Sequence, residues 1–219
     1  MVAFLRRGGK RSLVPRRMRH AAAWYTIGMS TAPHLRPMPV DEYLDGESRA
    51  ERKHEYIDGV VYAMVGATNS HNTIATNVTG LLHAQLRGKA CRVFNADAKV
   101  RVRLPSGTRF YYPDASVVCQ PNQPGDSFND APVVIVEVLS ESTRRIDEHE
   151  RREAYAAIDS LLAYVLLEQD AAAAVVYRRG DAGFSREVFL RRDAIIPLAE
   201  VGCELRLADV YANVALAEP

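Results

Sequence analysis

A mixed α/β fold, with a central mixed sheet flanked by helices, is predicted by three features of the sequence. Residues 132–140, PVVIVEVLS, form an apolar run of the kind that is buried on both faces of a sheet. Residues 69–88 place Ile74, Val78, Leu81, Leu82 and Leu86 at the spacing of one helical face. Around these two segments the order runs helix, strands, helix, strands without a repeat of fixed period, which disfavours a solenoid or a barrel.

Taken in order, PVDEYL (39–44) follows a proline-bearing stretch and reads as a short helix, and EYIDGVVYAMV (55–65) alternates and branches as a strand does, with Asp58-Gly59 as a hairpin turn. The helix of residues 69–88 has Asn69 or Ser70 as its expected cap and Gly88 as its stop. Two long strands are expected next, CRVFNADAKVRVRL (91–104) and RFYYPDASVVC (109–119), joined by Pro105-Ser106-Gly107. A linker at 120–131 leads into the apolar run. Residues 140–158 then read as a polar loop and helix, with Asp147 at the cap and Glu150 three residues on as a capping box. Strands LLAYVLLEQD, AAAVVYRRG and SREVFLR follow, and LADVYANVAL closes the chain as a short helix.

The chain has 219 residues, enough for one domain of ordinary size with an appendage. The expected division is a basic extension at 1–37, a folded domain at 38–212 and a tail at 213–219. Residues 1–28 hold seven arginines and lysines and no acid, which suits a nucleic-acid arm, a targeting segment, or disordered sequence upstream of a start at Met29, the last being preferred. With 47% hydrophobic and 25% charged residues the composition is that of a globular protein and excludes a collagenous or disordered chain; no apolar stretch is long enough for a membrane span. Cys91, Cys119 and Cys203 are too few and too scattered for a disulfide framework and form no CxxC pair. A reducing, cytoplasmic location is the corresponding expectation.

Two carboxylates ask for an explanation. Glu137 lies inside the apolar run, on the face of Ile135 and Leu139, where an unpartnered charge would cost several kcal/mol. A metal ion, an arginine or backbone amides could each compensate it; a buried ion pair or a strand end reaching solvent is the plainer alternative. Asp114 follows Pro113 at a strand edge, where Pro-Asp is commonly only a turn. Two carboxylates ending adjacent strands suit a hard cation such as Mg²⁺, which takes one or two carboxylates and keeps its other positions for water and phosphate. KVRVRL puts Lys99, Arg101 and Arg103 on one strand face, either a phosphate-binding stripe or an ordinary solvated side.

These segments in this order resemble a known family. EYIDGVVYAM, His71 opening a helix, YYPDASVV, VVIVEVLSEST, then Asp147, Arg151 and Tyr155 at four-residue spacing, then LLAYVLLEQD, are similar to the bacterial restriction-endonuclease family called Uma-two, a branch of the PD-(D/E)xK nucleases, over roughly residues 38–212. The resemblance implies a restriction-endonuclease-like sheet, a Mg²⁺ ion for which Mn²⁺ can substitute, and hydrolysis of DNA, with RNA as the second candidate. It matches Asp114 and Glu137 to the metal ligands, Glu55 to an acid of the first motif, and His71 to the helix-opening histidine. It also implies a departure: the lysine two residues after Glu137 is absent, and Arg151, between Asp147 and Tyr155, stands where the family moves that lysine. Asp147 has a helix cap as its bland reading, Tyr155 a core contact, His71 a surface residue and Glu55 a strand-face charge. An arginine stabilises phosphate charge but cannot shuttle a proton, so a nuclease-fold module that binds nucleic acid or a protein without turnover is the alternative. A homodimer would suit cutting both strands. No serine-hydrolase, zinc-protease or Walker motif competes.

Overall fold

In the computed structural model the described residues are 36–140, 144 and 146–216. The basic extension therefore lies almost wholly outside the described residues, as does the end of the tail. The chain from Arg36 onward forms one unit.

α1 (Val40–Glu47) is followed by the hairpin β1 (His54–Ile57) and β2 (Val60–Ala63), in register from His54–Ala63 to Ile57–Val60. Asp58 and Gly59 both have positive φ, 50° and 97°, as the two-residue turn requires. A Cβ at Gly59 would lie 2.4 Å from the Pro37 side chain, so only glycine fits there. α2 (Asn69–Leu86) buries Ile74, Val78, Leu82 and Leu86 as its spacing predicts, but its cap is Thr68, whose hydroxyl accepts from the His71 N–H at 3.2 Å.

Each of the two long strands expected next is broken in the middle. β3 (Arg92–Asn95) and β4 (Lys99–Leu104) belong to different sheets, as do β5 (Gly107–Tyr111) and β6 (Ala115–Val118). The breaks fall at Ala96–Ala98 and at Tyr112–Asp114, where the chain leaves one sheet and enters another. Alternating hydrophobicity runs through the first break, which hides it from periodicity alone, whereas the second falls at Pro113.

The remaining elements are β7 (Phe128–Asn129), β8 (Pro132–Leu139), a π-helical turn (Ile146–Arg151) continuing as α3 (Arg152–Ala156), β9 (Ala163–Glu168), β10 (Ala174–Gly180), β11 (Gly183–Phe189), β12 (Ile195–Leu198), β13 (Cys203–Arg206) and α4 (Leu207–Val210). The large sheet has the order β11-β10-β9-β8-β6-β3 and is mixed, with β8 and β9 parallel and the other neighbours antiparallel. A smaller sheet, β2-β1-β5-β4-β7, and the hairpin β12-β13 complete the strands. The fold is thus the expected mixed α/β class, with β7 inside the stretch read as linker and the β12-β13 hairpin as additions to it.

The apolar run of β8 divides two cores. Val134, Val136 and Val138 face the core that contains Ile74, Val78 and Leu82 of α2 together with Leu205 and Tyr211. Ile135 and Leu139 face a second core made with Val100, Val102, Tyr111, Tyr155 and Tyr164. Burial of both faces explains the near-continuous hydrophobicity of this strand.

Cys91 and Cys119 form a disulfide, which corrects the expectation that the cysteines stay apart. The cause is the register: Arg92 pairs with Val118 across β3 and β6, so the residues just beyond that pair meet. The bridge removes the ground on which a reducing compartment was expected. No helix among the described residues is long and apolar enough to cross a membrane.

Candidate active site

Asp114 occupies the last position before β6, and β6 pairs with β8 through Ala115–Val136, so Asp114 is set opposite Glu137. Two bonds tie the pair across the sheet. The Val138 N–H donates to Asp114 Oδ2 at 2.7 Å, and the Asp114 N–H donates to Glu137 Oε2 at 3.4 Å. His71 Nε2, carried by the first turn of α2, stands 3.3 Å from Asp114 Oδ2.

Behind Glu137 lies a buried ionic cluster. Arg151 donates from Nη1 to Glu137 Oε1 at 3.0 Å and from Nη2 to Glu55 Oε1 at 2.7 Å, and Nη1 also lies 3.2 Å from Asp147 Oδ1. The Tyr155 hydroxyl donates to the same Glu137 Oε1 at 3.1 Å. Glu55, Glu137, Asp147, Arg151 and Tyr155 are all buried. Tyr155 thus packs in the core and also bonds the site.

The expected cap at Asp147 is not formed. Asp147 sits within the π turn, its side chain turned inward onto Arg151, and Glu150 lies by Arg109 at 3.7 Å rather than closing a capping box. Their four-residue spacing sets Asp147 and Arg151 side by side on the buried face of the π turn.

The electrostatics follow from the crowding of acids. Burial pushes the Glu137 carboxyl well above its ordinary value; Arg151 opposes this, while Asp147, Asp114 and Glu55 add to it. Burial alone would weaken the charge on Arg151, yet Glu137 and Glu55 outweigh it and hold the guanidinium firmly protonated. For His71, burial opposes the charged ring, but the hydrogen bond and attraction to Asp114 prevail and its pKa rises.

Asp114, Glu137, Val138, Asp147 and Arg151 line a cavity of about 710 Å³, and His71 stands at its side. Arg52 and Lys53, which the sequence reading did not select, line the same cavity. Lys53 donates to the Ala96 carbonyl at 2.8 Å and pairs with Asp97. The signal available was their position immediately ahead of the strand that carries Glu55.

The basic stripe is largely consumed by the fold. Lys99 is 5% exposed, its ammonium 3.2 Å from the Tyr112 hydroxyl. Burial lowers its pKa, against the pull of Glu47. Lys99 is not among the residues lining the 710 Å³ cavity, so it does not supply the missing lysine there. Arg101 forms a two-pronged pair with Asp130 at 2.7 Å per prong. Arg103, with its side chain 62% exposed, also lies 3.2 Å from Asp130. Asp130 falls in the stretch read as linker.

Comparison with known proteins gives the same family as the motif order. Residues 40–208 match the model of the Uma2 family, described as "Putative restriction endonuclease". The chain belongs to this family. A Synechocystis protein designated slr1290 is 30% identical over 184 residues, covering 84% of this chain and 94% of its own. A second Synechocystis protein, sll1609, is 30% identical over 131 residues, covering 58% of this chain and 73% of its own. Among solved structures, a protein from Anabaena variabilis described as "a putative nuclease belonging to DUF820" superimposes with a TM-score of 0.66 at 20% identity. It covers 82% of this chain and 100% of its own, and at that identity it speaks for the fold.

Proposed function

We propose that this Uma2-family chain is a divalent-metal-dependent endonuclease that hydrolyses phosphodiester bonds of DNA at Asp114 and Glu137. The observation that carries this reading is the register of β6 on β8, which sets two carboxylates opposite each other at the edge of a cavity of about 710 Å³.

The donor set fits a hard cation. Four carboxylates, Glu55, Asp114, Glu137 and Asp147, surround one guanidinium and one imidazole and leave a surplus of negative charge, and burial, to which Asp147, Asp114 and Glu55 add, raises the proton affinity of Glu137. A divalent cation relieves such a surplus. Among the described residues no three His, Cys, Asp or Glu side chains converge as a metal cluster. Asp114 and Glu137, opposite each other on β6 and β8, would be the protein ligands, in the manner of Mg²⁺ sites that keep several waters. When bound, Mg²⁺ polarises the phosphate and lowers the pKa of water.

The chain's own residues supply the remainder. His71 and the Val138 amide hold Asp114 in place, while Arg151 and Tyr155 hold Glu137. Lys53 and Arg52 bring positive charge to the cavity wall, where a phosphate enters. A module that binds nucleic acid without turnover is the second reading. It is favoured by Arg151, whose guanidinium is held by three carboxylates and cannot give up a proton at neutral pH.

The test is cleavage of supercoiled plasmid with Mg²⁺ and with Mn²⁺. Nicking that Glu137→Ala and Asp114→Ala abolish is the expected result. Metal-dependent binding of DNA without any cleavage would replace the nuclease by the binding module.

A further inference from the structure

Arg151 stands where the family moves its lysine, yet it is buried, and both of its terminal nitrogens already serve the fold by holding Glu137, Glu55 and Asp147. Another donor is therefore needed where negative charge develops on a phosphate. Of the four lysines in the sequence, Lys10 lies outside the described residues, Lys89 donates to the Gly202 carbonyl at 2.8 Å, and Lys99 is buried away from the cavity. Lys53 lines the cavity together with Asp114 and Glu137.

The register of the large sheet says where the Lys53 ammonium sits. Ala115 of β6 pairs with Val136 of β8 on one side and with Asn95 of β3 on the other. One residue further along the same ladders come Glu137, Asp114 and Ala96, a row across three strands spaced about 4.8 Å apart. Lys53 is fixed at the third place of that row. Its ammonium donates to the Ala96 carbonyl at 2.8 Å, lies 2.5 Å from Asp97 Oδ1, and stands 5.5 Å from the centre of the Tyr112 ring, two residues before Asp114. β1 delivers it there: the Met64 N–H donates to the Lys53 carbonyl at 2.9 Å, which extends the β1–β2 ladder by one rung, and alternation puts Lys53 on the face of Glu55. Glu55 thus reaches Arg151 behind Glu137, while Lys53 reaches the cavity wall. The Lys53 side chain is 40% exposed and that of Asp97 73%. An ion pair so open to water is weak, and an incoming phosphate can take the place of Asp97.

We infer that Lys53 is a catalytic residue of this site: its ammonium donates to a non-bridging oxygen of the scissile phosphate, next to Asp114, and supplies the lysine contact that Arg151 does not. This rests on the nuclease reading and adds to it the side chain that meets the developing charge. In the hydrolysis, the oxygen of water bonds to phosphorus and the bond from phosphorus to the leaving sugar oxygen breaks. One proton of the water ends on that oxygen and the other passes to solvent. Negative charge builds meanwhile on the non-bridging oxygens, where a positioned, charged donor is most effective. Lys53 keeps its protons throughout.

The experiment compares the full chain with Lys53→Met, Lys53→Arg and Asp97→Asn in single-turnover plasmid nicking with Mg²⁺, alongside DNA affinity by fluorescence anisotropy with Ca²⁺, which accepts oxygen ligands in looser geometry. Lys53→Met is expected to slow nicking about 10²-fold or more, while DNA binding weakens less than about tenfold, because the contact tightens as charge develops. Lys53→Arg keeps the charge and a donor and should recover at least about tenfold of that loss. Asp97→Asn breaks the ion pair without touching the phosphate contact, and should nick within about threefold of the parent. Thermal melts verify that each variant folds. Nicking by Lys53→Met within about threefold of the parent, with Glu137→Ala inactive, overturns the role of Lys53 and leaves the nuclease reading standing. If Asp97→Asn loses as much as Lys53→Met, the pair matters for the fold alone and the role is likewise overturned. Absence of nicking by the unsubstituted protein overturns the nuclease reading and the role of Lys53 with it.

Discussion

Arg151 Nη1 lies 3.0 Å from Glu137 Oε1 and, through the other prong of its guanidinium, the same side chain reaches Glu55 at 2.7 Å. One buried cation therefore joins the acid of the β8 site to the acid of β1, and so ties the large sheet to the small one. Removing one member of such a buried pair leaves uncompensated charge, which costs far more than the pair itself contributes. Arg151→Met is expected to destabilise the chain by about 3–5 kcal/mol, a fall of roughly 10 °C in Tm. A thermal melt checks it, and a change under 2 °C would show that the carboxylates become neutral at little cost. Millimolar Mg²⁺ should narrow the gap, because a second cation then answers the same acids.

Tyr155 tests the support of Glu137 from the other side. Its hydroxyl is buried, and burial followed by Glu137 pushes its pKa up, so it remains a donor. Tyr155→Phe removes one hydrogen bond to a charged group and nothing else, and urea denaturation should show a loss of about 1.5–3 kcal/mol. Cleavage should fall as well, with Glu137 less firmly oriented. Unchanged stability and unchanged cleavage would reduce Tyr155 to a packing residue.

Asp130 gives a pH signature at a distance from the site. Burial would raise its pKa, but hydrogen bonds from Arg101 and Asn122 and the charges of Arg101 and Arg103 hold it below the usual carboxylate value. Its contribution is thus fully present above about pH 4, the unfolded value, and is lost as pH falls through the lower native one. Asp130→Asn should cost about 1–2 kcal/mol at pH 7, with the difference from the parent shrinking steadily below pH 4. A difference that grew on acidification would contradict the sign.

The disulfide carries a separate expectation. Cys91 and Cys119 are 28 residues apart in sequence, and closing such a loop in the unfolded chain is worth roughly 3–4 kcal/mol on the chain-entropy account. Dithiothreitol should therefore lower Tm by roughly 10 °C, and Cys91→Ser should reproduce that shift and make it insensitive to reductant. Mass spectrometry after alkylation counts the free thiols; three in the purified, unreduced protein would mean that the bridge is not formed.

Several of these relationships were legible in the sequence and several were not, for identifiable reasons. Glu137 stood out because a charge inside VVIVEVLS has to be answered, and its answer, Arg151, could be placed by spacing and by resemblance. The faces of β8 followed from alternation. The pairing of Asp114 with Glu137 was expected from adjacent strand ends and from the resemblance, but its register across β6 and β8 is something no local pattern encodes. The cysteine pairing was hidden for the same reason. The cap read at Asp147 did not form, because Asp followed three residues later by Glu fits a capping box whereas a π turn has no comparable signature, while its four-residue spacing from Arg151 does correspond to a contact. The KVRVRL stripe left two readings open, because charge at period two marks a face without revealing that Asp130, Tyr112 and Glu47 lie against it.

Arg151→Lys brings the functional and structural arguments into opposition. The guanidinium engages three carboxylates with two nitrogens in a fixed plane, and an ammonium cannot reproduce that fork, so the variant should melt a few degrees lower. Lysine, in contrast, can lose its proton when buried, and a positioned acid or base contributes about 10²–10⁴ to a rate. If Arg151 limits turnover through its inability to transfer a proton, Arg151→Lys raises the rate of plasmid nicking at least tenfold despite the lower Tm. A rate that falls together with stability would show that arginine acts here only by holding Glu137 and Glu55, and that the proton leaves through water.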